Sequence, residues 1–259
     1  MKKRTLDFVI KSNEHFNANY SLMKISPADG SSIGDTLPGQ FVQLNVPDSK
    51  TTFLRRPISI NFVDKDKNEM WLLIRNAGDG TKSLIAMQEG EILNVIFPLG
   101  GSFTIPEDAT SRLLLVGGGV GVAPMLYLGS VLKEKGYEVN FLLGARSEKD
   151  LLEADEFRKV GNLFVSTEDG SCGEKGLITY NTALQASWDF IYCCGPMPMM
   201  KAIAKYAAKN NIACEVSLEN KMACGIGACL CCVEDTSKGN VCVCTEGPVF
   251  NINQLKWEI

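Results

Sequence analysis

Residues 113 to 132 read LLLVGGGVGVAPMLYLGSVL and carry no charged side chain. A run of that length fits either a membrane-spanning helix or a strand, a glycine loop and a helix buried together in a parallel sheet. Five glycines and Pro124 interrupt it, and both residue types weaken a continuous helix. The buried strand-loop-helix is therefore expected, and the sequence that follows keeps the same grammar. LLLVG, YEVNFLLG, LFVST, FIYCCG and ACEVSL read as strands. APMLYLGSVLKEKG, EKDLLEADEFRKVG and MPMMKAIAKYAAKN read as the helices between them. Such alternation predicts an α/β domain with a parallel sheet over residues 104–219.

The chain before it is written differently. TLDFVIKS, YSLMKIS, GQFVQLNV, RRPISINFV, EMWLLIRN and EILNVIF are short strand-like runs separated by turn-rich loops such as PADGSSIGDTLPG. Val42, Leu44 and Val46 alternate with Phe41, Gln43 and Asn45, the period of a half-buried strand. Residues 1–103 are expected to form a small antiparallel β-barrel. A cysteine-rich segment, 220–259, completes an α+β multidomain chain.

Charge and composition remove several classes of function. Lys and Arg total 26 against 30 Asp and Glu, a net charge of -4, without the basic stripe that phosphate backbones require, so no nucleic-acid partner is expected. His15 is the one histidine. It is read as a surface or structural residue, which leaves no Ser-His-Asp or Cys-His catalysis and no multi-histidine metal site. No side chain is expected to be catalytic, and the chemistry must come from cofactors. Lys2-Lys3-Arg4 looks like the start of a signal peptide, but Asp7, Lys11 and Glu14 leave no apolar core behind it, so a cytoplasmic protein with no membrane association is expected.

Six of the ten cysteines fall in the 21 residues from Cys224 to Cys244. In a reducing compartment such a group reads as a metal or cluster site. Cys224-Gly-Ile-Gly-Ala-Cys229-Leu-Cys-Cys232 contains C-x4-C-x2-C, the plant-ferredoxin type of spacing for a [2Fe-2S] cluster. Gly225 and Gly227 suit a loop whose amides approach the sulfurs. Two other readings stand beside it: a zinc site pairing Cys229 and Cys232 with Cys242 and Cys244, and plain buried thiols. Read as an extended strand, NVCVC points Cys242 and Cys244 to one face, so spacing leaves the fourth ligand open between them.

Gly117-Gly118-Gly119-Val120-Gly121-Val122-Ala123-Pro124 follows one strand and opens a helix, where free amides and the helix N-terminus can hold a pyrophosphate. It departs from the usual dinucleotide fingerprint at Val122, and no acidic residue closes the following strand, which runs into Gly144-Ala145-Arg146. Cys194-Gly195-Pro196 ends a further strand, where open α/β sheets bind ligands. In the first domain, Arg56-Pro57-Ile58-Ser59 and Gly80-Thr81 are elements that a cofactor site would use.

The order RPIS, GT, Pro98-Leu99-Gly100, GGGVGVAP and CGPMPMM resembles the ferredoxin reductase type of flavoprotein, which pairs an FAD-binding barrel with a nicotinamide-binding α/β domain. With MACGIGAC at Met222 to Cys229 and VCTEGPVF near the end, the chain is similar to the electron transfer subunits of class B dihydroorotate dehydrogenase.

That resemblance implies roles by position. Arg56, Pro57, Ile58 and Ser59 would meet the flavin and its diphosphate; Leu73, Ile74 and Arg75 would line the FAD; Gly80 and Thr81 would contact its pyrophosphate. Gly118, Gly119 and Gly121 with Cys194, Gly195 and Pro196 would flank NAD. The family's fourth cluster cysteine precedes a Gly-Pro-Val-Phe run, which selects Cys244 beside Cys224, Cys229 and Cys232, leaving Cys231 and Cys242 unassigned. The implied chain is an NAD-linked flavin and iron-sulfur oxidoreductase subunit of pyrimidine biosynthesis. It would exchange electrons with a separate FMN-bearing catalytic subunit, two of each forming a heterotetramer, and would not oxidise dihydroorotate alone. Glu168-Asp169, after LFVST, would favour NADH by repelling a ribose 2′-phosphate. A related implication is the small FAD and [2Fe-2S] subunit of a ferredoxin-linked NAD(P)H oxidoreductase or sulfide dehydrogenase. A different class would be a zinc-bearing redox sensor without turnover.

Overall fold

The computed structural model describes residues 2–47, 49 and 51–258. Two compact units result, one of Met1–Ser102, Asn220–Glu234 and Cys242–Pro248, the other of Phe103–Glu219, Asp235–Val241 and Val249–Ile259.

The first unit is built on strands β1 (Arg4–Asn17), β2 (Tyr20–Pro27), β3 (Phe41–Leu44), β4 (Arg56–Ser59), β5 (Phe62–Asp64), β6 (Glu69–Arg75) and β7 (Ile92–Leu99), with helix α1 (Asp79–Ile85) before β7. They form one antiparallel sheet in the order β4-β3-β7-β1-β2-β6-β5. RRPISINFV, expected as a single strand, is two. The Ile60 amide donates to Gln40 O on the β3 side, and the Asn61 amide donates to Trp71 O on β6. The chain thus leaves one edge of the sheet and joins the other within two residues, whose short reach forces the sheet to curl on itself. Phe8, Phe97, Ile10, Met23, Ile25, Leu72 and Val95 fill the interior, with the Phe8 and Phe97 rings edge to face at 5.1 Å.

The alternation read in β3 is only half right. Val42 and Leu44 are buried as expected, but Phe41 and Gln43 are buried too. Phe41 packs at Gly100 and Gln43 at Gly225, so the second face of this strand is covered by other parts of the same unit.

In the second unit, β8 (Leu113–Gly118), a 3-10 turn (Gly119–Val122) and α2 (Ala123–Glu134) account for the charge-free run. β9 (Val139–Ala145), α3 (Ala154–Val160), β10 (Asn162–Thr167), β11 (Glu174–Lys175), β12 (Phe190–Cys194), α4 (Met197–Lys209) and β13 (Ala213–Ser217) follow. Strands β8 to β13 are parallel. Helix α4 buries Met200, Ile203, Ala204 and Ala207, the stripe that a helix seated on a sheet presents. EKDLLEADEFRKVG is helical only from Ala154; Glu153 takes a positive φ of 54° and separates α3 from a short 3-10 turn at Glu148–Asp150. Among the described residues no helix is long and apolar enough to cross a membrane.

After Glu219 the chain forms a hairpin of β14 (Val233–Thr236) and β15 (Gly239–Cys242), a helical turn α5 (Val243–Glu246) and β16 (Val249–Asn251). β16 pairs antiparallel with β13 and gives the parallel sheet an edge strand that the sequence reading lacked. The order of that sheet is β11-β10-β9-β8-β12-β13-β16. Its first strand in sequence, β8, is central, and the chain moves to one side for β9 and β10 and to the other for β12 and β13. The switch point of the topology therefore lies between β8 and β12, where open α/β sheets bind ligands.

Candidate cofactor-binding sites

In the first unit, Arg56, Pro57, Ile58 and Ser59 form β4, half-buried throughout and paired with Leu44, Gln43, Val42 and Phe41 of β3. Arg56 leans on the start of α1: a side-chain carbon at Gly80 would lie 2.7 Å from Arg56 Nε. That Nε is buried without a hydrogen-bond partner, so the arginine lies against the glycine with a donor that the polypeptide leaves unsatisfied. Thr81 closes its own turn, since its hydroxyl accepts from the Ala77 and Gly78 amides at 2.8 and 3.2 Å. Leu73 and Ile74 are core residues at 1% and 0% exposure, while Arg75, at the end of β6, is exposed. Leu73 and Ile74 can therefore offer a ligand little beyond main chain. Gly100 of the PLG turn, with φ 77°, packs on Pro248 and Gly247, and the Gly101 amide donates to Gly247 O at 2.6 Å.

The cysteine segment belongs to this same unit. Cys224, Cys229, Cys232 and Cys244 gather around the Gly225–Gly227 loop, whose glycines have φ of 70° and 88°. Main-chain amides point at their sulfurs: Ile226 N to Cys224 Sγ at 3.4 Å, Gly227 N to Cys244 Sγ at 3.2 Å, and Cys244 N to Cys232 Sγ at 3.4 Å. The thiols lie near one another: Cys224 beside Cys229, Cys232 beside both Cys244 and Cys242, and Cys244 within electrostatic reach of Cys224. Burial by itself would raise Cys224, but amide hydrogen bonds led by Ile226 outweigh it and bring that thiol down to about 6. Burial, then the Cys232 thiol, pushes Cys244 up to about 12. Among the described residues no three metal-ligating side chains converge on one point. The premise of an extended strand through Cys242 and Cys244 fails, because the chain turns helical at Val243. Cys244 is consequently buried, whereas Cys242 is half-exposed; Cys242 still neighbours Cys232, and Cys231 is exposed.

In the second unit the glycine loop and Cys194-Gly195-Pro196 meet at the switch point. Cys194 stands in register with Gly117 across β8 and β12. A side-chain carbon at Gly118 would lie 2.5 Å from Met199 Sδ, one at Gly121 would lie 2.5 Å from Cys194 O, and one at Gly195 would lie 3.0 Å from Gly118 O. Gly119 has φ 55°. Only glycines permit this backbone-to-backbone seat, followed by α2 with Pro124 in its first turn. Past β10, Asp169 is occupied by its own turn, accepting from the Ser171 amide and hydroxyl at 2.9 and 2.7 Å. Glu168 is exposed.

Residues 219–256 match the family described as the iron-sulfur cluster binding domain of dihydroorotate dehydrogenase B, and residues 115–205 match the oxidoreductase NAD-binding domain. The dihydroorotate dehydrogenase B (NAD(+)) electron transfer subunit of Shouchella clausii is 40% identical over 225 residues, covering 84% of this chain and 86% of that one. Its counterpart in Caldanaerobacter subterraneus is 44% identical over 218 residues, covering 82% and 84%. The chain belongs to this family of electron transfer subunits.

Among solved structures, an NADH-dependent reduced ferredoxin-NADP oxidoreductase studied for flavin-based electron bifurcation superimposes with a TM-score of 0.86 at 27% identity, over 97% of this chain and 90% of that one. The FAD/NAD-binding domain of a Vibrio cholerae nitric oxide dioxygenase shares the fold, with a TM-score of 0.68 at 20% identity over 82% and 98%. As a member of its family the chain is an oxidoreductase subunit with FAD, a [2Fe-2S] cluster and NAD as cofactors. The residues described above fit these groups: amides on sulfurs at the cysteines, an unsatisfied arginine donor at β4, and a glycine seat at the switch point.

Sequence reasoning overlooked Arg55. Its guanidinium bridges β3 and β7, donating to Gln43 O at 3.3 Å and to Asn94 O and Oδ1 at 3.0 and 2.5 Å. The doublet Arg55-Arg56 was the available signal: one arginine braces β3 and β7, while the other donates to Leu54 O at 3.1 Å and keeps a buried Nε without a partner.

Proposed function

We propose that this chain passes electrons between an FMN-bearing dihydroorotate dehydrogenase catalytic subunit and NAD in the cytoplasm, for pyrimidine biosynthesis, in a heterotetramer of two subunits of each kind. The observation that carries the reading is the placement of Cys224, Cys229, Cys232 and Cys244 in the same compact unit as Arg56-Ser59 and Gly80-Thr81. When bound, FAD supplies the conversion between two-electron exchange with NAD and one-electron exchange with the cluster.

The chain's own residues then have binding roles and no acid-base role. Arg56, Pro57, Ile58 and Ser59 hold the flavin and its diphosphate, with Gly80 and Thr81 at the pyrophosphate and Leu73, Ile74 and Arg75 along the FAD. Gly118, Gly119 and Gly121 hold the NAD diphosphate beside Cys194, Gly195 and Pro196. Cys224, Cys229, Cys232 and Cys244 ligate the irons. Functionally the chain is read as an FAD-binding barrel at 1–103, an NAD-binding domain at 104–219 and a cluster segment at 220–259. Ile226 and Leu230, 47% and 65% exposed on the cluster loop, are apolar side chains for the catalytic partner to cover.

The test is purification of the intact chain from its host with whatever co-elutes. One FAD and two irons per chain, with an FMN protein at equal stoichiometry, are expected. A ferredoxin-linked partner in place of the FMN protein would favour the reading drawn from the bifurcating oxidoreductase, and a colourless protein holding zinc would sink both.

A further inference from the structure

Gln43 is the one polar side chain on β3, and it is fully buried. Its neighbours Val42 and Leu44 are apolar core residues. Neither Nε2 nor Oε1 of Gln43 has a hydrogen-bond partner. A buried amide left in that state carries its full desolvation cost, so a primary amide here is unfavourable unless something outside the polypeptide satisfies it.

Two proposed cofactor positions flank it. On one side Gln43 is in register with Pro57, within the flavin motif of β4. On the other its amide presses on the cluster loop: a side-chain carbon at Gly225 would lie 2.6 Å from both Cγ and Nε2 of Gln43. Gly225 follows Cys224 and holds φ 70°. The glycine lets the amide reach the main chain of the loop that carries the first ligand pair.

We infer that Gln43 Nε2 donates a hydrogen bond to the cluster's sulfur acceptors on the Cys224 side, making Gln43 a positioning residue that sets the cluster's reduction potential. The inference rests on the cluster assignment above. A donor to sulfur stabilises the more negative, reduced cluster, so its loss lowers the potential. Gln43→Met keeps the length of the side chain and removes the donor. In a mediated redox titration of the holoprotein followed by EPR, the expected effect is about a tenfold fall in the equilibrium constant for cluster reduction, 59 mV for a one-electron couple. The flavin potential should stay where it was. An unmoved cluster potential, or a shift confined to the flavin, would overturn the inference while leaving the cluster assignment intact. A wild-type protein without a cluster signal would overturn both. Pulsed EPR on the reduced wild-type protein, grown with side-chain 15N-glutamine, reads the same bond without any substitution: a 15N coupling to the cluster spin is expected, and its absence refutes the assignment.

Discussion

A side-chain carbon at Gly121 would stand 2.5 Å from both N and Cα of Gly195. Main-chain atoms cannot swing aside as a side chain can, so Gly121→Ala must push the β8 turn away from the end of β12. Overpacking of this kind costs about 1–3 kcal/mol. We expect kcat/KM for NADH with a dye acceptor to fall about tenfold or more, since about 1.4 kcal/mol is a factor of ten. The cluster absorbance should persist, because the cysteines belong to the other unit. Unchanged NADH kinetics would show that the glycine seat does not hold the dinucleotide.

Serine replacements divide the six cysteines of the segment. At Cys224, Cys229, Cys232 and Cys244 the cluster spectrum should be lost or strongly altered, and at Cys231 and Cys242 it should survive. Cys242 is the informative control, since it neighbours Cys232 yet remains half-exposed. Bleaching by Cys242→Ser with retention in Cys244→Ser would exchange the two assignments.

Removing the cluster should leave one thiol unusually reactive. Cys224 is held down to about 6; a thiol with a lowered pKa is thiolate above that value, and the thiolate is the nucleophile. Iodoacetamide at pH 7 should therefore label Cys224 in apoprotein, with a reactivity midpoint near pH 6. Burial raises Cys193 and Cys194 well above the ordinary thiol range, so both should stay unlabelled until the protein is denatured. Mass spectrometry of tryptic peptides across a pH series reads both outcomes. A Cys224 midpoint near 9 would show that the loop amides do not act on its sulfur.

The parallel sheet was legible because its central strands β8, β9 and β12 are largely buried and helix α4 carries an apolar stripe; local pattern and tertiary role agree there. Where long-range contacts decide, pattern gave out. The split of RRPISINFV depends on partners at Gln40 and Trp71, distant in sequence. β16 is strand only because β13 offers an edge to pair with. At the cysteines, spacing showed the C-x4-C-x2-C loop but not the helical turn at Val243 that separates Cys242 from Cys244. Gln43 looked like the polar half of an alternating strand, and only the packing of Gly225 on it reveals a buried amide.

Arg56 should matter to flavin retention. Its Nε is buried beside Gly80 without a partner, and arginine is suited to a diphosphate by its forked donors. Arg56→Ala should weaken FAD binding by about tenfold or more, the scale of one lost charge-assisted bond. Flavin released on gel filtration, with iron content unchanged, measures it. Stoichiometric FAD after dialysis of the variant would remove Arg56 from the site.

Dihydroorotate oxidation is expected to fall to a partner of this chain. Oxidising dihydroorotate means breaking a carbon-hydrogen bond, which calls for a base within hydrogen-bond reach of the proton it removes. The residues assembled at the proposed sites are cysteines proposed to ligate iron, arginines and main-chain amides, none of which is a base at neutral pH once its ligand is bound. His15 is exposed on β1, and buried Glu215 already accepts from the Thr104 amide and hydroxyl at 2.9 and 2.6 Å. We therefore expect the isolated chain to oxidise NADH with artificial acceptors but to show no NAD reduction with dihydroorotate until an FMN-bearing catalytic subunit is added. Turnover of dihydroorotate by the pure chain, with a second polypeptide excluded by mass spectrometry, would refute this division of labour.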